Sequence, residues 1–268
     1  MIFFRLLSSA MFSLSVGLSA SAQVAPQTAP QQPPKTTPAK PSPPVIKNRF
    51  GLIEGWKGEA SASGSKTTGN TETEDVGLGL KLANTEGRWK HKFKGNFDYG
   101  RNRGRKNKER LRTSYQLDRQ INEQLYTFAN ADYFLDDFGA FEEGYYAGGG
   151  MGYKVVLPEP VGWDLELGGG YRYQDPQGSN KAVKRELGLR SASNFDWEVN
   201  DKVSLYNNTE LTYSKSDTYV WNEVGITSQL LGDVAVRASY RVDYHSTVPE
   251  GREKTDTITR IGVVYKIE

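Results

Sequence analysis

The run Asp243-Tyr244-His245-Ser246 sets a carboxylate, an imidazole and a hydroxyl close together. These are the three groups that a nucleophilic site uses as orienter, base and nucleophile. Residues of these types are also common loop formers, and nearness in the chain fixes no geometry between them. His91, the other of the two histidines, alternates with Trp89 and Phe93 and falls on an apolar face, so it reads as a structural residue. With no cysteine, a transition-metal cluster has too few ligands. The glycine runs at 148–152 and 168–170 lie inside strand-like stretches, not at a strand-to-helix turn that would hold phosphate. No catalytic residue, metal or cofactor is expected.

A second chemical pattern is the ladder Lys90, Lys92, Lys94, in which three ammonium groups share one face of a segment whose other face carries Trp89, His91 and Phe93. Such a ladder could favour anions, and a solvated face explains it as well. The period of two defines the element. From Gly55 to Leu82 the chain reads as a hairpin: Trp56, Gly58, Ala60, Ala62 and Gly64 oppose Lys57, Glu59, Ser61, Ser63 and Ser65, 67–71 is a turn, and Val76, Leu78, Leu80 and Leu82 oppose Asp75, Gly77, Gly79 and Lys81. Strict alternation marks a strand with one greasy and one wet side.

The same logic recurs to the end of the chain and predicts about twelve strands of roughly ten residues, the length a tilted strand needs to cross a bilayer. The fifth strand, 125–135, carries aromatics on both faces and its orientation is left open. The links after even strands read as short, and several after odd strands, such as the basic stretch 100–109 and the acidic stretch 136–144, read as longer and polar. The expected fold is all-β, an antiparallel transmembrane β-barrel. A soluble sandwich needs two dry inner faces, and nearly every strand here puts ionisable groups on its polar face.

On that reading the lumen is lined by Lys57, Glu59, Lys90, Lys92, Lys94, Arg112, Glu166, Arg172, Arg190, Glu210, Arg237 and Arg241. Neither sign dominates. The groups can pair across the lumen and plug it, or line a narrow wet path. Trp56, Trp89, Tyr99, Trp163, Tyr173, Tyr213, Trp221, Tyr244 and Tyr265 lie close to strand ends and are expected at the membrane interfaces, where an apolar ring and a polar tip are both satisfied.

Ahead of the strands, residues 1–22 combine Arg5, an apolar stretch and Ala20-Ser21-Ala22, the pattern of a secretory signal peptide. Residues 23–47 are rich in proline and read as a disordered linker, which leaves 48–268 for the barrel. Lys+Arg 34 against Asp+Glu 32 gives no basic excess that would point to nucleic acid.

Several short motifs stand in order: GWKG from Gly55, TTGNTET, GRWKHKF, LYTFANADY, GGGMGYKV, LELGGGYRY and VPEGREKTDTITRIGVVY. In these the chain resembles an uncharacterised family of salt-induced outer-membrane proteins, a domain of unknown function. The resemblance covers roughly Gly55 to Tyr265 and implies an outer-membrane barrel without agreed catalytic residues. It departs at the end of the chain: such barrels usually finish on an aromatic residue read by the assembly machinery, and Ile267 stands there instead, after Tyr265. The expected partners are outer-membrane lipid and that machinery, in a Gram-negative-type bacterium. The expected role is a narrow passage for small polar solutes or a component of the envelope under osmotic or salt stress. The alternatives are a structural barrel with a plugged lumen and a lipid-modifying enzyme using the His245 loop.

Overall fold

A segment that is apolar on one side only must line up with neighbours of the same phase, because a slip of one residue would turn its whole greasy row the wrong way. The chain obeys this for twelve strands. The computed structural model describes residues 55–67, 73–178 and 182–267; the expected signal peptide (1–22) and linker (23–47) lie outside them. The strands are β1 (Lys57–Thr67), β2 (Thr73–Glu86), β3 (Trp89–Asn102), β4 (Arg105–Gln120), β5 (Leu125–Asp136), β6 (Phe141–Lys154), β7 (Val161–Pro176), β8 (Lys184–Asn200), β9 (Val203–Ser214), β10 (Thr218–Leu231), β11 (Val234–His245) and β12 (Thr255–Ile267). Each pairs antiparallel with its neighbours in sequence, and β12 pairs back onto β1 from Gly58↔Ile267 to Ser63↔Gly262. Closure removes the free edge, so the ladder needs no water to satisfy its N–H and C=O groups.

The two faces are inverted relative to a water-soluble protein. Leu78, Leu167, Leu187, Leu189, Ile226 and Ile261 are exposed on the outside, with Leu167 at 68% and Leu187 at 81%. The buried set is rich in charge and includes Asp98, Asp118, Glu166, Arg172, Arg190 and Asp243. Outward aromatics sit toward both ends. Trp89, Trp163, Trp197 and Tyr265 lie toward the end that holds the start of β1 and the finish of β12, and Tyr145, Tyr171, Tyr213 and Tyr244 lie toward the opposite end. This is the banding that a bilayer selects on a barrel.

Three sequence expectations change. The basic stretch 100–109 is not a long loop: β3 continues to Asn102 and β4 starts at Arg105, leaving a two-residue turn at Arg103 (φ 49°) and Gly104 (φ 70°). Two consecutive positive φ values are the type I′ geometry that matches strand twist, and the basic residues extend the ladder instead. The acidic stretch 136–144 likewise shrinks to 137–140, because Phe141 already belongs to β6. The contrast between short and long ends is therefore weaker than expected; it persists in 177–183 and 246–254 against 201–202 and 232–233.

Strand β5 resolves its ambiguity by register. Tyr126 pairs with Gly152, Phe128 with Gly150 and Asn130 with Gly148, and the even residues point inward. A methyl group on Gly152 would stand 2.1 Å from the Tyr126 ring. The glycine runs of β6 and β7 thus make room for aromatic rings inside the barrel, which is why β5 has aromatics on both faces.

Candidate functional site in the lumen

Inward side chains from all twelve strands meet in the lumen, where a charge is tolerated only with a partner or with water. On the side formed by β11, β12, β1, β2 and β3 the pairing is dense. Arg237 grips Glu59 through two bonds of 2.5 and 2.6 Å, Lys81 reaches the same carboxylate at 2.9 Å, and Arg260 forks onto Asp98 at 2.8 and 3.0 Å. A small cavity of about 60 Å³ lies there.

A second group bridges the barrel. Arg112 on β4 donates to the Tyr219 hydroxyl on β10 at 2.7 Å, six strands away around the ring. Asp243 accepts from Tyr219 and from Arg241 at 2.9 Å and lies 3.5 Å from Arg112. The Arg241 guanidinium covers the Trp221 ring at 4.2 Å. A third group centres on Glu166, which accepts from Arg190 at 2.8 Å, Gln116 at 2.7 Å and Tyr126 at 2.9 Å, while Arg190 also binds Glu210 at 2.8 Å. Lys92 pairs with Asp118 at 2.7 Å.

Beyond the strands, Asp217 in the β9–β10 connection gathers His245 Nδ1 at 2.7 Å, Arg172 at 3.1 Å, the Ser246 hydroxyl at 3.2 Å and the Thr247 amide at 3.1 Å. Burial would raise its carboxyl, but the hydrogen bond and charge of His245 and the charge of Arg172 outweigh it and hold the group down to about 2. The grouping Asp243–His245–Ser246 suggested by the sequence is not assembled: Asp243 is held by Arg241 and Tyr219, and Ser246 accepts from the Thr218 amide at 2.7 Å. The imidazole and the hydroxyl meet on Asp217, not on each other, and together they tie β9, β10 and β11 at that end.

Between these groups runs a cavity of about 400 Å³. Lys90 and Asp164 line it toward the end that holds the start of β1 and the finish of β12, and Gly139, Ala140 and Asp256 toward the other. Of the residues expected to face the lumen, Lys90, Lys92, Lys94, Arg112, Glu166, Arg172, Arg190, Glu210 and Arg241 line this cavity, Glu59 and Arg237 join in the paired wall, and Lys57 stands exposed at the start of β1. Trp221 needs correction. It was expected at an interface, but it alternates with outward Val220 and Val224 and lies inside against Arg241. Trp56, Trp89, Tyr99, Trp163, Tyr173, Tyr213, Tyr244 and Tyr265 share the outward rows of their strands or, for Trp56, precede β1. Sequence reading missed Asp132, Asp217, Tyr206 and Tyr219; for Asp132 and Tyr219 the alternation against outward Ala131 and Val220 carries the signal.

A closed, antiparallel twelve-stranded sheet with an apolar outer band and an ionisable lumen defines the class: a transmembrane β-barrel of the outer-membrane type. The chain belongs to the family described as "Protein of unknown function, DUF481", which it matches over residues 60–267. It is similar in structure to the NanC porin, with 12% identity, a TM-score of 0.51 and coverage of 79% of this chain and 100% of the porin. It is similar too to the COG4313 outer membrane channel from Pseudomonas putida F1, with 12% identity, a TM-score of 0.50 and coverage of 79% and 95%. At such identities the likeness is one of fold. No curated protein matches the chain.

Proposed function

We propose that the barrel is a narrow passage for small polar solutes in the outer membrane of a Gram-negative-type bacterium. The signal peptide at 1–22 directs export, the linker at 23–47 precedes the barrel domain at 48–268, and the strand ending in Tyr265 and Ile267 is presented to the assembly machinery. The observation that carries this reading is the lumenal cavity of about 400 Å³ reaching toward both ends. Its volume lies in the range that holds a small ligand, and charged side chains of both signs line it beside aromatic rings. The names of the two similar structures, a porin and a channel, agree with it.

Planar-bilayer recording of the purified barrel, folded as judged by a heat-dependent shift in gel mobility, tests the passage. Discrete current steps are expected. A second reading has one observation in its favour, the Arg112–Tyr219 bridge across the full width of the barrel. A lumen closed by that bridge gives no steps in the wild type and steps in Arg112→Ala. Silence in both contradicts a passage altogether.

A further inference from the structure

Most charges in the lumen are matched, and the exceptions come in both signs. Among the described residues, Lys90 and Lys94 on β3 form no ion pair, although Lys92 between them pairs with Asp118. Asp132 and Asp164, which line the same cavity, form none either. Lys94, Ser114 and Asp132 follow one another in register across β3, β4 and β5. Neighbouring strands stand about 4.8 Å apart, so the ammonium and the carboxylate rise from backbones about 10 Å apart.

Asn130 donates its amide to Asp132 at 2.6 Å and orients that carboxylate. One corner therefore offers the Asp132 carboxylate, which lines the cavity without a cationic partner among the described residues and suits an ammonium. The other offers the Lys94 ammonium, which lines the same cavity without an acidic partner among them and suits a carboxylate.

We infer that this part of the lumen is a binding subsite for a small zwitterion of the α-amino-acid type, its ammonium on Asp132 and its carboxylate on Lys94. A purely anionic solute leaves Asp132 facing it with like charge, and a cationic one meets Lys94. A zwitterion satisfies both corners, and a passage with such a subsite favours it over either ion. The inference rests on the passage reading and gives that passage a substrate class.

The test is uptake into proteoliposomes of four solutes of like size: serine, its anionic analogue glycerate, its cationic analogue serinol, and uncharged erythritol, each corrected for protein-free vesicles. Serine is expected to lead the others by about tenfold or more, the scale of one charge-assisted hydrogen bond. Lys94→Gln shifts the preference toward serinol, and Asp132→Asn shifts it toward glycerate. Opposite shifts separate recognition from a folding defect, which would slow all four solutes together; gel mobility confirms that each variant is folded. Equal uptake of serine and erythritol by the wild type, or variants that scale every solute alike, overturns the subsite and leaves the passage standing. No uptake of any solute overturns the passage, and the subsite with it.

Discussion

The two sides of the lumen are built from the same residue types with opposite results. From β11 through β12 and β1 to β3, Glu59, Lys81, Asp98, Arg237 and Arg260 are all committed to one another, and little space is left. From β3 to β9 the larger cavity runs past Lys90, Lys94, Asp132 and Asp164, which form no ion pairs among the described residues. What separates the sides is stoichiometry and side-chain volume, not polarity. Where arginines fork onto carboxylates two or three strands away the wall closes on itself; on the other side the inner glycines of β6 and β7 take in the rings of Tyr126, Phe128 and Tyr146, and the cavity lies inside that layer.

The sharpest way to break this comparison is Arg237→Ala. It leaves Glu59, mostly buried, with Lys81 alone, and the loss expected on breaking a buried pair is about 3–5 kcal/mol in unfolding of the membrane-inserted barrel by urea. A loss under about 1 kcal/mol would show that the paired wall is solvated after all. Outside the open side, Leu167→Arg places a charge among the outward apolar rows and is expected to cost about 2–4 kcal/mol in the same assay; tolerance of the change would contradict the assignment of that face to lipid.

Acid separates the end of the barrel from both walls. Asp217 has a depressed folded pKa, so its contribution is present above the unfolded carboxylate value near 3.8 and is lost as pH falls through about 2. That contribution is about 2 kcal/mol. Wild type is expected to lose that stability between those values, and Asp217→Asn to lack this step, as read by unfolding midpoints across the pH range. The smallest effect belongs to the open side. Lys94→Met removes a cation without an ion-pair partner, and its stability is expected to stay within about 1 kcal/mol of wild type; a loss like that of Arg237→Ala would erase the difference between the two sides.

Much of this architecture is written in the alternation of residues. The inward and outward rows of β1 to β4 and β7 to β12 follow from which of two interleaved sets carries the ionisable and polar residues and which the aliphatic, aromatic or small ones. β5 is illegible alone because Tyr126 and Phe128 are received by glycines on β6 and β7, a fact about neighbours. Trp221 misleads when it is judged by its nearness to a strand end; its parity against Val220 and Val224 places it inside. The β3–β4 turn is hidden by its basic flanks, although Arg103-Gly104 holds the two positive φ values. The candidate site is legible only as a row of ionisable groups. Which of them pair depends on chords across the lumen, Arg112 to Tyr219 or Arg260 to Asp98, between residues 107 and 162 positions apart. Asp217 escaped notice for the same reason, since its partners come from three other segments.

The claim that the side from β3 to β9 is an open, water-filled path is tested most directly by a single cysteine at Ser114, which lines the cavity, in a chain that has no other. Current through reconstituted Ser114→Cys barrels would be recorded before and after a small, charged, thiol-specific methanethiosulfonate reagent. Current steps that change in height on modification are the predicted result. Steps that ignore the reagent, or a folded barrel that passes no current and leaves the thiol unreacted, would contradict an open path on that side.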